Sequence, residues 1–159
     1  MEISTYFFKD ICLFGPYPTQ RQADALEALG VKYFIDLTTP SEKITRYQTR
    51  GAIHISYPIR DNYIPESIKL YIYFLRRLVN LIRQLKPEEK IFIHCKGGHG
   101  RSGMVVASLL CILENLKSQD SIFKTTQYHS IRPTLKDKWV GIDCPNMKIQ
   151  KDFIKKLFD

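Results

Sequence analysis

Short runs of consecutive apolar residues alternate along this chain with stretches in which apolar residues return every three or four positions. The first pattern suits strands buried on both faces, and the second suits helices with one buried face. Residues 11–14 open the series as a strand, followed by the turn signal Gly15-Pro16-Tyr17-Pro18. Thr19 is placed to cap a helix running to Leu29, with Ala25, Leu26 and Leu29 on one face and Gly30 at the stop position. Residues 33–37 read as the next strand. After Pro40 a short helix is expected from near Ser41 to just before Gly51, then a strand over 52–57 leading into a loop over 58–65.

The clearest helical pattern covers residues 66–85, where Ile68, Ile72, Leu75, Val79, Ile82 and Leu85 recur at three- and four-residue spacing before Pro87. Residues 90–94 form a strand of the buried type that runs directly into a glycine-rich turn and a new helix. Further helices are expected over 102–116, 120–131 and 146–158, with no repeat, linker or low-complexity stretch between them. Strands alternating with helices predict one α/β domain over residues 1–159, its central, mostly parallel sheet of four to five strands flanked by helices.

Composition narrows the class without choosing a function. With 159 residues, 44% hydrophobic and 25% charged, the chain has room for one real core and no disordered bias. Its longest nearly unbroken apolar stretch, residues 104–113, is about half of a bilayer span, so no transmembrane segment is expected. The opening Met1-Glu2-Ile3-Ser4 lacks the pattern of a secretory signal, and the cysteines at 12, 95, 111 and 144 contain no C-x-x-C pair. The expectation is a cytoplasmic protein with reduced thiols, the nucleus remaining open, in which Cys12, Cys111 and Cys144 act as buried small hydrophobes. Lys and Arg number 24 against 16 Asp and Glu, a balance of +8 concentrated in the last two-thirds of the chain. Nucleic acid, phospholipid headgroups and phosphorylated protein all fit such a surplus, as does a solvated surface with no specific partner.

The chemistry gathers at His94-Cys95-Lys96-Gly97-Gly98-His99-Gly100-Arg101-Ser102-Gly103, between a strand and an apolar helix. Three glycines in a turn that feeds a helix let backbone N–H groups point inward, and the helix N-terminus adds positive potential: an anion cradle. The nucleotide motif G-x-x-x-x-G-K-[ST] fails, because Gly103 is followed by Met104-Val105. A thiol at the mouth of such a cradle, with Arg101 nearby, is favoured as its thiolate. The planar fork of Arg101 can grip two oxygens of a tetrahedral phosphate and hold phosphorus in line with the Cys95 sulfur.

These residues resemble the H-C-x5-R-[ST] signature of the cysteine-dependent protein tyrosine phosphatase superfamily, matched at His94, Cys95, Arg101 and Ser102. The resemblance implies that Cys95 attacks phosphorus to give a phosphocysteine and that the Ser102 hydroxyl stabilises the departing sulfur. It also implies that Lys96, Gly97, Gly98, His99 and Gly100 surround the phosphate with Arg101, and that His94 shapes the loop by hydrogen bonding rather than acting as a base. Asp61, in the loop before the long helix, resembles the general acid of compact dual-specificity phosphatases. It would protonate the leaving oxygen and then, once ionised, activate the hydrolytic water. Asp36 is the competing carboxylate, but it sits in a buried strand pattern that suits a structural hydrogen bond.

Outer parts of the resemblance are weaker. Arg132, in Arg132-Pro133, either supports the phosphate loop or caps a helix. Gln150 stands where some relatives place a water-positioning glutamine, and an exposed helical glutamine is the plainer reading. The chain is too short for the elaborated tyrosine-specific domain, and the acid precedes the cysteine, unlike the order in low-molecular-weight phosphatases. The resemblance therefore implies the compact dual-specificity branch with its phosphatase-like fold, acting on phosphotyrosine and phosphoserine or phosphothreonine of protein substrates, with no cofactor and no metal. Phosphoinositide phosphatases of similar sequence often carry lysines where Lys96 and His99 stand, so a lipid phosphate is one alternative, weakened by the imidazole at 99. An RNA 5′ end is another, and a phosphate-binding module without activity is the non-enzymatic one.

Overall fold

The computed structural model describes residues 2–159. Among these residues five strands form one sheet: β1 (Thr5–Phe8), β2 (Cys12–Gly15), β3 (Val31–Asp36), β4 (Ile53–Ser56) and β5 (Lys90–His94), in spatial order β1-β2-β5-β3-β4. Only β1 runs antiparallel to its neighbour; β2, β3, β4 and β5 are mutually parallel. The helices are α1 (Gln20–Leu29), α2 (Ile68–Gln84), α3 (Arg101–Leu113), α4 (Ser118–Ser130) and α5 (Lys148–Phe158), with a short 3-10 turn at Asp137–Trp139.

The buried strands feed two cores from alternate residues, as the strand period of two requires. Cys12, Phe14, Ile35, Ile91 and Ile93 face the core shared with α2 and α3, while Leu13, Phe34 and Phe92 face the smaller core under α1. Helix α3 packs against α2, α4 and α5 as well as the sheet, and is buried from Arg101 to Cys111. In its middle the buried Ser108 hydroxyl donates to the Met104 carbonyl and meets the Tyr71 hydroxyl of α2 at 2.9 Å. Among the described residues no helix is long and apolar enough to cross a membrane.

Apart from one short helix, the expected elements are present with ends moved by a few residues, and α1 has the cap anticipated for it. The Thr19 side chain accepts from the Gln22 N–H, and Gln22 accepts in return from the Thr19 N–H at 2.9 Å. Gly30 closes the helix with φ 119°, a left-handed conformation that suits glycine.

Two features differ from the sequence pattern. Strand β1 was not anticipated: Thr5-Tyr6-Phe7-Phe8 turns back through Lys9, at φ 48°, to form a hairpin with β2. The short helix expected from near Ser41 to just before Gly51 does not form. Side chains of α1 instead take up the backbone of that segment, with Glu27 accepting from the N–H groups of Arg50, Gly51 and Ala52, and Gln20 accepting from Gln48. Backbone donors bonded to another element are unavailable to a local helix.

Candidate active site

The sheet delivers its chemistry at the carboxyl ends of the parallel strands, where ligands sit in open α/β folds. His94 ends the central strand β5, flanked in register by Gly15 of β2 and Asp36 of β3. The chain then turns through residues 95–100 into α3, whose first turn has no side-chain cap, so its orphan N–H groups are left for an anion. Gly98 holds φ 76°, and a Cβ there would come within 2.5 Å of the backbone at Gly15 and Pro16, so the close approach requires glycine.

Cys95 is buried, with the Gly98 N–H donating to its sulfur at 3.2 Å and the Ser102 Oγ 3.4 Å from the same atom. It lies at a cavity of about 470 Å³ that Asp61, Lys96, Arg132, Lys136 and Lys138 also line. His94 is fully buried. Its Nδ1 donates to the Cys95 carbonyl at 3.2 Å, which leaves Nε2 to accept from the Tyr47 hydroxyl at 2.7 Å. Burial pushes its imidazole down to about 4, against the opposing pull of Asp36, so the ring is neutral and bound at both nitrogens.

Arg101 is 1% exposed, and its guanidinium ties three segments together. Its two terminal nitrogens each donate to Glu42 at 2.8 Å, one also donates to the Ile59 carbonyl at 2.9 Å, and the other stands 3.3 Å from Asp61 Oδ1. The Nε has no partner among the described residues. Burial raises the Glu42 carboxyl, but the Arg101 guanidinium and the Thr39 N–H outweigh it and bring it down to about 2. Glu42 and Tyr47 are therefore parts of the site that sequence reasoning missed. Both lie in the segment expected to be helical, and the Thr39-to-Glu42 spacing imitates a capping box. Glu42 does accept from the Thr39 N–H, at 2.6 Å, but spends its remaining capacity on Arg101.

Asp61 is 58% exposed by side chain and shares the cavity with Cys95. Asp36, by contrast, is buried and accepts from Thr38 and His54, the structural role expected of it. Burial raises its carboxyl, yet the bonds from His54 and Thr38 and the nearby His94 bring it down to about 2. Arg132 does not cap a helix: it is buried, donates to the Gly98 carbonyl at 2.8 Å, and lies over the Phe14 ring. Gln150 is fully buried rather than exposed. It donates to the Tyr63 carbonyl of the Asp61 loop at 3.1 Å, its Oε1 has no partner among the described residues, and it packs against Gly100. Lys96 is exposed at the mouth, and His99 is half-buried in the cavity wall. Cys12, Cys111 and Cys144 are buried and unbridged, and the Cys144 thiol donates to the His99 carbonyl at 3.1 Å.

A strand, cysteine loop and helix joined by a buried arginine, with a carboxylate at the mouth, define a class, and family comparison agrees with it. The chain belongs to the DSP-PTPase family: the model described as "Swiss Army Knife protein, DSP-PTPase phosphatase domain" matches residues 15–137. The chain is 37% identical over 159 residues to "Putative tyrosine phosphatase 067L" of Invertebrate iridescent virus 3, covering 99% of this chain and 66% of that protein. It is 31% identical over 127 residues to "Phosphatidylglycerophosphate phosphatase PTPMT2" of Arabidopsis thaliana, covering 76% of this chain and 52% of the relative. The chain thus spans between half and two-thirds of the length of these relatives. Among solved structures, Tk-PTP in its active form superposes with a TM-score of 0.76 at 22% identity, covering 98% of this chain and 95% of that one. The fold is that of a compact dual-specificity phosphatase.

Proposed function

We propose that this chain hydrolyses phosphate monoesters on proteins, at phosphotyrosine and at phosphoserine or phosphothreonine, through a phosphocysteine intermediate. The observation that carries the reading is the meeting at one cavity of Asp61 and the Cys95 sulfur, bonded by the Gly98 N–H and beside Ser102, with the buried Arg101 guanidinium 3.3 Å from Asp61. The sulfur forms a bond to phosphorus as the ester oxygen leaves, and the Asp61 carboxyl gives that oxygen a proton. In the second step water attacks phosphorus, Asp61 takes the water's proton, and the S–P bond breaks with Ser102 donating to the sulfur. The unpaired Nε of Arg101 is a free donor for a phosphoryl oxygen, and the unpaired Oε1 of Gln150 is a free acceptor for the water. Four unbridged thiols are consistent with work in a reducing compartment such as the cytoplasm.

Rapid mixing with an aryl phosphate is expected to release a burst of phenol that Cys95→Ser abolishes. Asp61→Asn is expected to slow esters of poor leaving groups by about 10²- to 10⁴-fold and activated aryl esters much less. An intact chain that turns over no phosphate monoester would sink the proposal. A phosphorylated lipid headgroup is the second reading, favoured by the lysines 96, 136 and 138 around the cavity. Parallel turnover of phosphopeptides, inositol phosphates and triphosphorylated RNA separates these substrates.

A further inference from the structure

His99 is held by two neighbours that the chemistry above does not use. Its Nδ1 lies 2.7 Å from Nε2 of His129 in α4, and its ring stacks on Trp139, 3.7 Å between centroids and 16° between planes. The other nitrogen, Nε2, makes no hydrogen bond among the described residues; it lies on the Gly97 side of the ring, and His99 lines the cavity.

One proton occupies the bond between the two neutral rings, and only two arrangements exist. If His99 donates, His129 must accept at Nε2 and carry its own proton on Nδ1. That nitrogen is buried without a partner among the described residues, in a residue 1% exposed, so the arrangement would strand an N–H donor. If His129 donates from Nε2, the stranded atom is a bare acceptor. Buried donors without partners are the rarer defect in folded proteins. Neither ring is charged at neutral pH: burial pushes His99 down to about 3, helped by Arg132, His129, Lys138 and Lys136, and burial with Arg132 pushes His129 down to about 4.

We infer that His129 is a positioning residue: it donates from Nε2 to Nδ1 of His99, and so fixes His99 as an uncharged Nε2–H donor to the phosphoryl group held over Cys95. Trp139 keeps the ring in plane by stacking. The ligand in this inference rests on the phosphatase reading, whereas the tautomer does not. A neutral donor at this place leaves Lys96 and Arg101 as the cations of the loop, which suits a single phosphoryl group better than a ring crowded with phosphates.

Nitrogen-15 imidazole NMR of the unmodified chain at neutral pH reads the tautomer directly. The expected result is His99 protonated on Nε2 and bare on Nδ1, with His129 protonated on Nε2. Inorganic phosphate added to Cys95→Ser is expected to shift the His99 Nε2 signal and leave His54 unmoved. In steady-state assays His129→Gln, whose amide N–H replaces the imidazole donor, should hold kcat/KM within about twofold, while His129→Phe loses roughly tenfold, mostly in KM. A His99 proton on Nδ1, a phosphate titration that leaves His99 unmoved, or equal losses in the Gln and Phe variants would each overturn the inference. If His129→Phe does not fold, the NMR result on the unmodified chain decides. Absence of turnover in the unmodified chain would overturn the phosphatase reading while leaving the tautomer measurable.

Discussion

Arg101 is a buried cation whose two terminal nitrogens are held by Glu42, a residue 59 positions away in sequence. Removing one partner of such a pair leaves a buried charge uncompensated, which costs about 3–5 kcal/mol. Glu42→Gln keeps the shape and removes the charge, so a loss near the lower end is expected in urea unfolding at pH 7, with kcat/KM for an aryl phosphate down at least about tenfold as Arg101 loses its fixed orientation. The pH dependence has a definite sign. Glu42 titrates near 2 in the folded chain against 4.5 for the free side chain, so its contribution is complete above about pH 4.5 and is lost as the pH falls toward 2. Wild-type and Glu42→Gln unfolding curves should therefore converge as the pH is lowered through that window. Curves that stay equally separated at pH 7 and pH 3 would assign the difference to packing instead.

At the scale of elements, the site depends on how the turn after β5 nests against the turn after β2. Gly98 makes that contact, and its left-handed backbone and the nearby atoms of Gly15, Pro16 and Arg132 leave no room for a side chain. Gly98→Ala is expected to cost about 1–3 kcal/mol in strain alone and to reduce turnover more than a hundredfold, because the displaced loop no longer presents its N–H to Cys95. Comparing its urea midpoint with its kcat/KM separates the two effects; full activity would show that the loop tolerates a shift. The 38–51 segment is a second element-scale dependence. It reaches the site through Tyr47 on His94 and Glu42 on Arg101, and it is itself anchored by Glu27 and Gln20 of α1. A helix outside the cavity thus helps hold Arg101.

For the whole molecule, three histidines are folded into it as neutral groups. His94, His99 and His129 are all pushed well below the free imidazole value, chiefly by burial. The unfolded chain binds protons at these positions from about pH 6.5 downward, whereas the folded chain does not until near pH 4, so stability falls as the pH drops between those values. Thermal unfolding should show a lower Tm at pH 5 than at pH 7, and replacing His129 with Gln should shrink that difference. A Tm unchanged from pH 7 to pH 5 would show that the rings are charged in the folded state.

The sequence by itself determined the local features of this protein. The buried stripe of α2 at Leu75, Val79 and Ile82, the Thr19 cap and Gly30 stop of α1, and the continuous apolar run of β5 are properties of neighbouring residues, and the structure has all three, although Ile68 at the start of α2 is exposed. The cysteine loop was legible for the same reason, since Cys95, its glycines, Arg101 and Ser102 are adjacent in the chain. The tertiary structure decided what joins residues far apart. Nothing near Glu42 or Tyr47 in sequence signals that their partners are Arg101 and His94, and the helix expected after Pro40 gives way to bonds with α1. Likewise, His129 and Trp139 meet His99 only because α4 and the following turn pack behind the loop. Backbone preference acts over a few residues, whereas a buried charge or ring is satisfied by whatever group the fold brings to it.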